Sequence, residues 1–523
     1  MDKEFHLVED LEEPLLDKEE NKDEDFESKR ILIMSKREQK KRDINKIDEN
    51  GHIKETDTGA TPLRYMEMDD RKALAQYNMK SSLLPYLTSP HSPVYKFAKV
   101  VTSPAIYIQK KIRPGGIKGS IFNLICGVLG TGMLTLPVVC LQNGILLGSA
   151  LIVAGVLLTA FCGMCIVVCS EKTQTDSLEF IAHIAFGHTI GRITSYSMIM
   201  CQLGFVTSYI IVVKTLIPSI IKRLMDGALP SVLSNDKFVQ ISIATIYSLL
   251  FLLPLSLPRK MGALRFTSLF GFACCIFLVI VICCIFFFDK AVVPDPLDNI
   301  TEANYLDFSF ASLFTSFPFI ISSYMYQPMI PAIYKNLENR NMQRMEKVVY
   351  IGSFGAVFLY ILISVFGYLS FSTNPEQLEI LRVKQNILEL DFKHNVYFEA
   401  SIICLVVTIM SAGPLCMLPV KDCVEDLIYK NEIMTDSQNV MVTLLLTGIC
   451  YAAAIVIPSI GDVLSILGLS CNPYVGFFLP ILCYLKLEDN KPIYMMLAAI
   501  LILFITGSFS ILGIYGYVTT KIM

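Results

Sequence analysis

Residues 119–137 read GSIFNLICGVLGTGMLTLP, and a conflict inside this stretch governs the reading of the whole chain. It is apolar enough for hydrocarbon, yet Gly127, Gly130 and Gly132 fall within six residues and Pro137 follows. Glycine costs about 1 kcal/mol per residue in a helix interior, so three together predict a locally opened helix. Irregular backbone at membrane depth is tolerated only where it is buried in protein or lines a cavity. Its free N–H groups and the half-helix N-terminus beyond favour an anionic group such as a carboxylate. Close helix packing by small residues accounts for the same glycines, and this stretch alone leaves both readings open.

The rest of the chain supports membrane burial. Of 523 residues, 53% are hydrophobic and 17% charged, against about 25% charged in a soluble protein; mean hydropathy is +0.53. Residues 1–118 hold 22 Lys/Arg and 22 Asp/Glu, which leaves 22 and 25 for the other 405 residues. The division expected is a cytoplasmic, largely disordered tail (1–117) and a membrane domain (118–520). This composition excludes a secreted disulfide scaffold and a soluble enzyme. The net charge of −3 argues against a nucleic-acid partner. No apolar stretch with a basic flank opens the chain, so no cleavable signal peptide is expected. Low hydrophobicity predicts disorder over residues 1–90, and residues 91–116, with Pro93, Pro104 and Pro114, read as lying along the membrane surface. Glu12-Glu13-Pro14-Leu15-Leu16 resembles an acidic dileucine sorting signal, with a chance leucine pair as the plain alternative.

A spanning helix needs about 20 mostly apolar residues. Eleven stretches qualify: 118–140, 144–169, 192–220, 238–257, 264–288, 308–333, 347–372, 395–420, 439–457, 461–485 and 493–520. Lipid satisfies no backbone polar groups, so every span is expected to be helical. Lys110, Lys111, Arg113 and Lys118 precede the first span and put the tail inside. The inner connections then carry Lys172, Arg259, Lys260, Lys335, Arg340, Lys421 and Lys486, whereas Asp and Glu dominate the outer loop 289–307. The sequon Asn299-Ile300-Thr301 falls in that loop and marks Asn299 as a glycosylation candidate. Nearly all of the 16 cysteines lie in spans, where they read as small packing residues. No His or carboxylate companion suggests a metal, and no cofactor is expected.

Span six reads FSFASLFTSFPFIISSYMYQPMIPAIY, with Pro318, Pro328 and Pro331 around Ser322-Ser323. Spans one and six hold matching places in two five-helix halves. Interrupted segments at corresponding positions of two repeats point to a transporter's midplane site.

The chain resembles the amino acid/auxin permease family, particularly its sodium-coupled neutral and proton-coupled branches. The resemblance covers residues 115–520. It runs through Gly119-Ser120-Ile121-Phe122-Asn123-Leu124, Gly130 to Pro137 and Gln142-Asn143-Gly144. It continues through Gln327-Pro328 to Tyr334, Phe366 to Phe371, Pro414 to Lys421, and Ile457 to Pro480. It implies an all-α, eleven-helix LeuT-like fold, a 5+5 inverted repeat plus one, that transports amino acids by alternating access. The substrate carboxylate would meet the opened backbone at Gly130, Thr131 and Gly132, with Gly127 in the same stretch. Its amino group would meet carbonyls near Phe319, Ser322 and Ser323. Tyr209 on span three and Thr408 on span eight are expected to complete the pocket.

The departures concern the coupling ion, H+ or Na+. The sodium-coupled branch carries an Asn–Ala pair where this chain has Cys126-Gly127, and a thiol is a poor ligand for a hard cation. Thr408 and Ser411 remain as oxygen donors, so the proton is favoured over sodium. Glu399 and Asp462 are candidate proton carriers, because ionisable residues within spans are functional candidates. His183 and His188 read as part of an amphipathic inner segment. No span holds the constellation an enzyme needs, and no phosphate-binding loop marks an ATP-driven pump. The alternative to transport is an amino-acid sensor that signals through the tail. The membrane expected is the plasma membrane or an endolysosomal or vacuolar one.

Overall fold

The structure, a computed structural model, describes residues 115–224, 236–258, 264–393, 395–429 and 434–522. The expectations for the tail, its dileucine and the surface segment before Pro114 lie outside the described residues. Every described regular element is helical. The first half comprises α1 (Ile117–Val128), α2 (Leu136–Thr173), α3 (Leu178–Phe186), α4 (His188–Leu224), α5 (Asp236–Ile246), α6 (Leu253–Ser256), α7 (Leu264–Phe288) and α8 (Pro296–Glu302). Then come α9 (Phe310–Ser323), α10 (Ile330–Lys335), α11 (Met342–Leu369), α12 (Pro375–Lys384) and α13 (Val396–Ile428). The last are α14 (Asp436–Val456), α15 (Ile460–Leu469), α16 (Cys471–Pro473), α17 (Leu479–Leu487) and α18 (Ile493–Ile522).

Among the described residues, eight helices are long and apolar enough to cross a membrane, or nine if α15 and the segment Cys471–Leu487, bent 44° apart, form one. The count falls short of eleven because the glycine- and proline-rich segments break. After 12 residues, about 18 Å, α1 stops as Leu129 and Gly130 turn extended. A 3-10 turn, Thr131–Leu134, follows. The 38 residues of α2 hide a corner at Gly144, with φ 78° and ψ 166°. A Cβ there would approach the Tyr305 carbonyl carbon to 2.6 Å. The amides of Ile145 and Leu146 donate to the carbonyls of Asn304 and Tyr305 at 3.0 and 2.9 Å, and Asp307 N–H donates to Asn143 O at 2.9 Å. The Gln142-Asn143-Gly144 motif is therefore a backbone junction. It is reinforced by Asn143 Nδ2, which donates to Ser316 Oγ at 2.6 Å.

One large apolar cluster, from Leu124 to Tyr484, fills the interior. Outside, Met441, Leu444 and Leu445 on α14 and Leu497, Leu501 and Phe504 on α18 are exposed. Large apolar side chains exposed in this number suit lipid, not water. Lys421 differs from its sequence assignment to a basic inner loop. Helix α13 runs on to Ile428, and Lys421 is 4% exposed. Its Nζ donates to Ser256 O at 2.6 Å and Asn439 Oδ1 at 3.0 Å. Lys214, also buried, donates to the carbonyls of Ala454 and Ile457. Each ammonium thus sits at a helix C-terminus, of α6 and α14 respectively, where the dipole favours positive charge.

Candidate functional site

The two interrupted helices end against one side chain. Tyr360 of α11 is 0% exposed, and its hydroxyl lies 2.8 Å from Val128 O and 2.8 Å from Ser323 O. These are the last residues of α1 and α9. One hydroxyl proton faces two helix-terminal carbonyls, so at any moment one carbonyl has lone pairs to offer another donor. The Tyr360 ring is anchored edge-on by Tyr324, with centroids 5.2 Å apart. Nothing in the local pattern of α11 singles out this tyrosine; its role follows from what two distant segments bring to it.

The three glycines of the opening stretch separate. A Cβ on Gly127 would collide with Met329 Sδ. A Cβ on Gly132 would come within 2.6 Å of Ser323 Cα and Oγ. Both glycines permit close packing of the two broken segments. At Gly130 the nearest atom to an added Cβ would be the Tyr209 hydroxyl, 4.0 Å away. Gly130 instead opens onto a cavity of about 40 Å³. Its lining includes Thr131, Tyr209, Cys275, Thr408 and Ala412.

No charged side chain is in that lining. The polar groups are hydroxyls and the irregular backbone of 129–131. Ser208 Oγ donates to Phe205 O at 2.7 Å, so Thr131 Oγ1 must donate in its 3.2 Å bond to Ser208. That leaves the Thr131 oxygen as an acceptor held in a fixed orientation. The first N–H groups of a helical turn have no acceptor within it, and here those belong to Thr131 and Gly132. Tyr209 OH approaches Cys416 Sγ at 4.0 Å. Thr408 Oγ1 donates to Cys404 O at 2.9 Å.

The structure thus gathers Gly130, Thr131, Tyr209 and Thr408 around one cavity. Phe319, Ser322 and Ser323 do not line it. Ser323 Oγ donates to Phe319 O at 2.7 Å, and Ser322 Oγ donates to Leu464 O at 2.9 Å. Ser322 also accepts from Asn472 Nδ2 at 3.0 Å, while Asn472 Oδ1 accepts from Cys201 at 3.0 Å. These residues tie α9 to α15, α16 and α4. Of the ion-coupling candidates, Ser411 Oγ donates to Val407 O at 3.0 Å, and Cys126 is half-buried. Glu399 sits in the first turn of α13. Nine residues separate it from Thr408, about 14 Å along the helix, and a carboxylate at a helix N-terminus has an ordinary electrostatic reason to be there. Asp462 is buried and accepts from Tyr517 OH at 3.3 Å.

Asn299 is 2% exposed. Its Nδ2, the nitrogen that carries a glycan, donates to Leu369 O at 2.7 Å, and its Oδ1 accepts from Thr373 at 3.1 Å. Attachment there requires these bonds to open. Outside the spanning helices, burial pushes the Glu179 carboxyl of α3 up, and nearby Asp426 and Asp422 add to the shift. His183 and His188 meet edge to face, with ring centroids 5.5 Å apart.

Helices interrupted beside a buried, charge-free cavity in an apolar-surfaced bundle define a polytopic membrane transporter. Residues 113–519 match the family described as transmembrane amino acid transporter protein, and the chain belongs to that family. It is a multi-pass membrane protein and not an enzyme. It is similar to the sodium-coupled neutral amino acid symporter 2 of Danio rerio, 23% identical over 390 residues, which cover 71% of this chain and 75% of that protein. A solved structure of a Na+-coupled sialic acid symporter, substrate-bound and outward-open, aligns at TM-score 0.38 and 12% identity, covering 82% of this chain and 96% of that one.

Proposed function

We propose that the chain is a secondary active transporter that carries neutral amino acids by alternating access, with protons as the coupling ion. The observation that carries this reading is the cavity at Gly130, a mostly apolar pocket whose few polar groups are backbone and hydroxyls and whose lining holds no charged side chain. A zwitterion needs a donor for its carboxylate and an acceptor for its ammonium. The opened backbone at Thr131 supplies the first within the present lining. The carbonyl at Val128 or Ser323 left by Tyr360 lies outside that lining and supplies the second once the helices rock apart. A cationic or anionic side chain would find no counter-charge in that lining.

By the measure used for the cavity, a water needs at least about 10–15 Å³. The cavity therefore admits a few waters, less than the six heavy atoms of alanine, and this conformation is contracted around the site. Binding requires one group of helices to rock against the rest. We take the crossings to number eleven: the nine helices counted above, a tenth formed by α1 with the start of α2, and an eleventh by α9 with α10. Their basic connections favour a cytoplasmic N-terminus, and the two interrupted segments, first and sixth in span order, favour a LeuT-like arrangement of two five-helix halves plus one. Cys126 offers sulfur where a hard cation wants oxygen, which supports the proton, although the fish relative is named a sodium-coupled protein.

The test is uptake of labelled neutral amino acids into proteoliposomes under an imposed pH gradient and, separately, a sodium gradient. Accumulation with the pH gradient alone is expected. Accumulation with sodium alone overturns the choice of ion. Binding without flux under either gradient overturns transport in favour of sensing.

A further inference from the structure

Two irregular segments face each other on the side of the molecule that holds the Lys172–Glu488 and Lys335–Asp176 ion pairs. One is the 3-10 turn Gln327–Met329, between α9 and α10. The other is a π turn, Tyr474–Phe478, between α16 and α17. The two turns pack directly together, and π turns within helices recur at functional sites. Gln327 lies between them, 0% exposed, and neither its Oε1 nor its Nε2 has a hydrogen-bond partner among the described residues. The other polar groups of this break are paired. Tyr324 OH donates to Ile152 O at 3.1 Å, and Tyr326 OH meets Ser353 Oγ at 2.7 Å. Gly476 forms the facing wall, where a Cβ would come within 3.2 Å of Gln327 Nε2. The glycine leaves the amide its room.

A buried amide with no partner is destabilising, and native proteins retain few of them. Such a group calls for a partner that this conformation does not show. We propose that Gln327 is a transit site for the amino acid itself: Nε2 donates to the substrate carboxylate and Oε1 accepts from its ammonium as the bundle opens on this side. The proposal rests on the transport reading above.

The experiment compares the wild type, Gln327→Leu and Gln327→His as full-length chains. Initial uptake of labelled L-alanine is measured in proteoliposomes, and the thermal midpoint in detergent without substrate. Leu removes an unpartnered amide at similar volume, so the midpoint should hold or rise while uptake falls by at least about tenfold, since both hydrogen bonds to the charged groups are lost. His retains a donor and an acceptor and should keep most of the uptake. Undiminished uptake by Gln327→Leu overturns the proposal. So does a midpoint that falls together with uptake, because the amide then has a ground-state partner such as buried water. Absence of uptake by the wild type under any gradient is distinct, since it overturns transport itself and the proposal with it.

Discussion

Gly130 and Gly132 stand two positions apart in the chain, yet an added methyl meets open space at one and the Ser323 backbone at the other. Their substitutions should therefore fail differently. Gly130→Leu fills the cavity and should abolish uptake, with expression and thermal midpoint close to wild type. Gly132→Ala forces α9 away and should destabilise by about 1–3 kcal/mol, the usual penalty for overpacking, read as a lower midpoint. Equal loss of stability in both would remove Gly130 from the cavity wall. Tyr360→Phe keeps the ring against Tyr324 but withdraws the proton from two buried carbonyls. About 1–3 kcal/mol should be lost. In addition, KM for L-alanine should fall if these carbonyls are where the ammonium binds, because the hydroxyl proton no longer competes for them. A purely structural tyrosine would lower the midpoint and leave KM unchanged.

At the corner within α2, Gly144 occupies backbone space that is nearly closed to other residues. Gly144→Ala should cost about 1–3 kcal/mol from strain alone, before the clash with Tyr305, and should lower the midpoint more than Gly187→Ala. Gly187 also has positive φ, but an added Cβ there meets nothing. In α3, Glu179 has its carboxyl pushed above its unfolded value by burial, with Asp426 and Asp422 beside it and the Cys423 thiol donating to its Oε1 at 3.9 Å. An acid whose pKa is raised on folding binds more protons in the folded state. Its contribution is fully present below the unfolded pKa near 4.5 and is lost as pH rises through the folded value. Glu179→Gln should therefore raise the midpoint at neutral pH and flatten its fall with rising pH. A midpoint unchanged at every pH would show that the carboxyl is not desolvated.

In the assembled bundle, the loop around Asn299 gives the remaining test. Because Asn299 Nδ2 is held by Leu369 O inside the protein, N-glycosidase treatment should leave the electrophoretic mobility of cell-expressed protein unchanged. A downward shift would mean that this loop opens during biosynthesis. The membrane character, the helical class and the two interrupted segments were legible from residue types. Hydrocarbon demands long apolar helices, and Gly and Pro disturb a helix whatever surrounds them. Span boundaries were less so: Lys421 looked like a loop cation because charge usually marks the end of a span, and here α6 and Asn439 solvate it inside the protein.

Membrane class, helical class and the positions of both breaks thus follow from local chemistry, since backbone cost and transfer to lipid act residue by residue. Which glycine borders the cavity, why Tyr360 matters and why Gln327 has no partner among the described residues depend on contacts between segments distant in sequence. Val128 and Ser323 are 232 and 37 residues from the hydroxyl they share. Packing and hydrogen bonding are properties of pairs, and chain order does not say which pairs form until the helices have been placed.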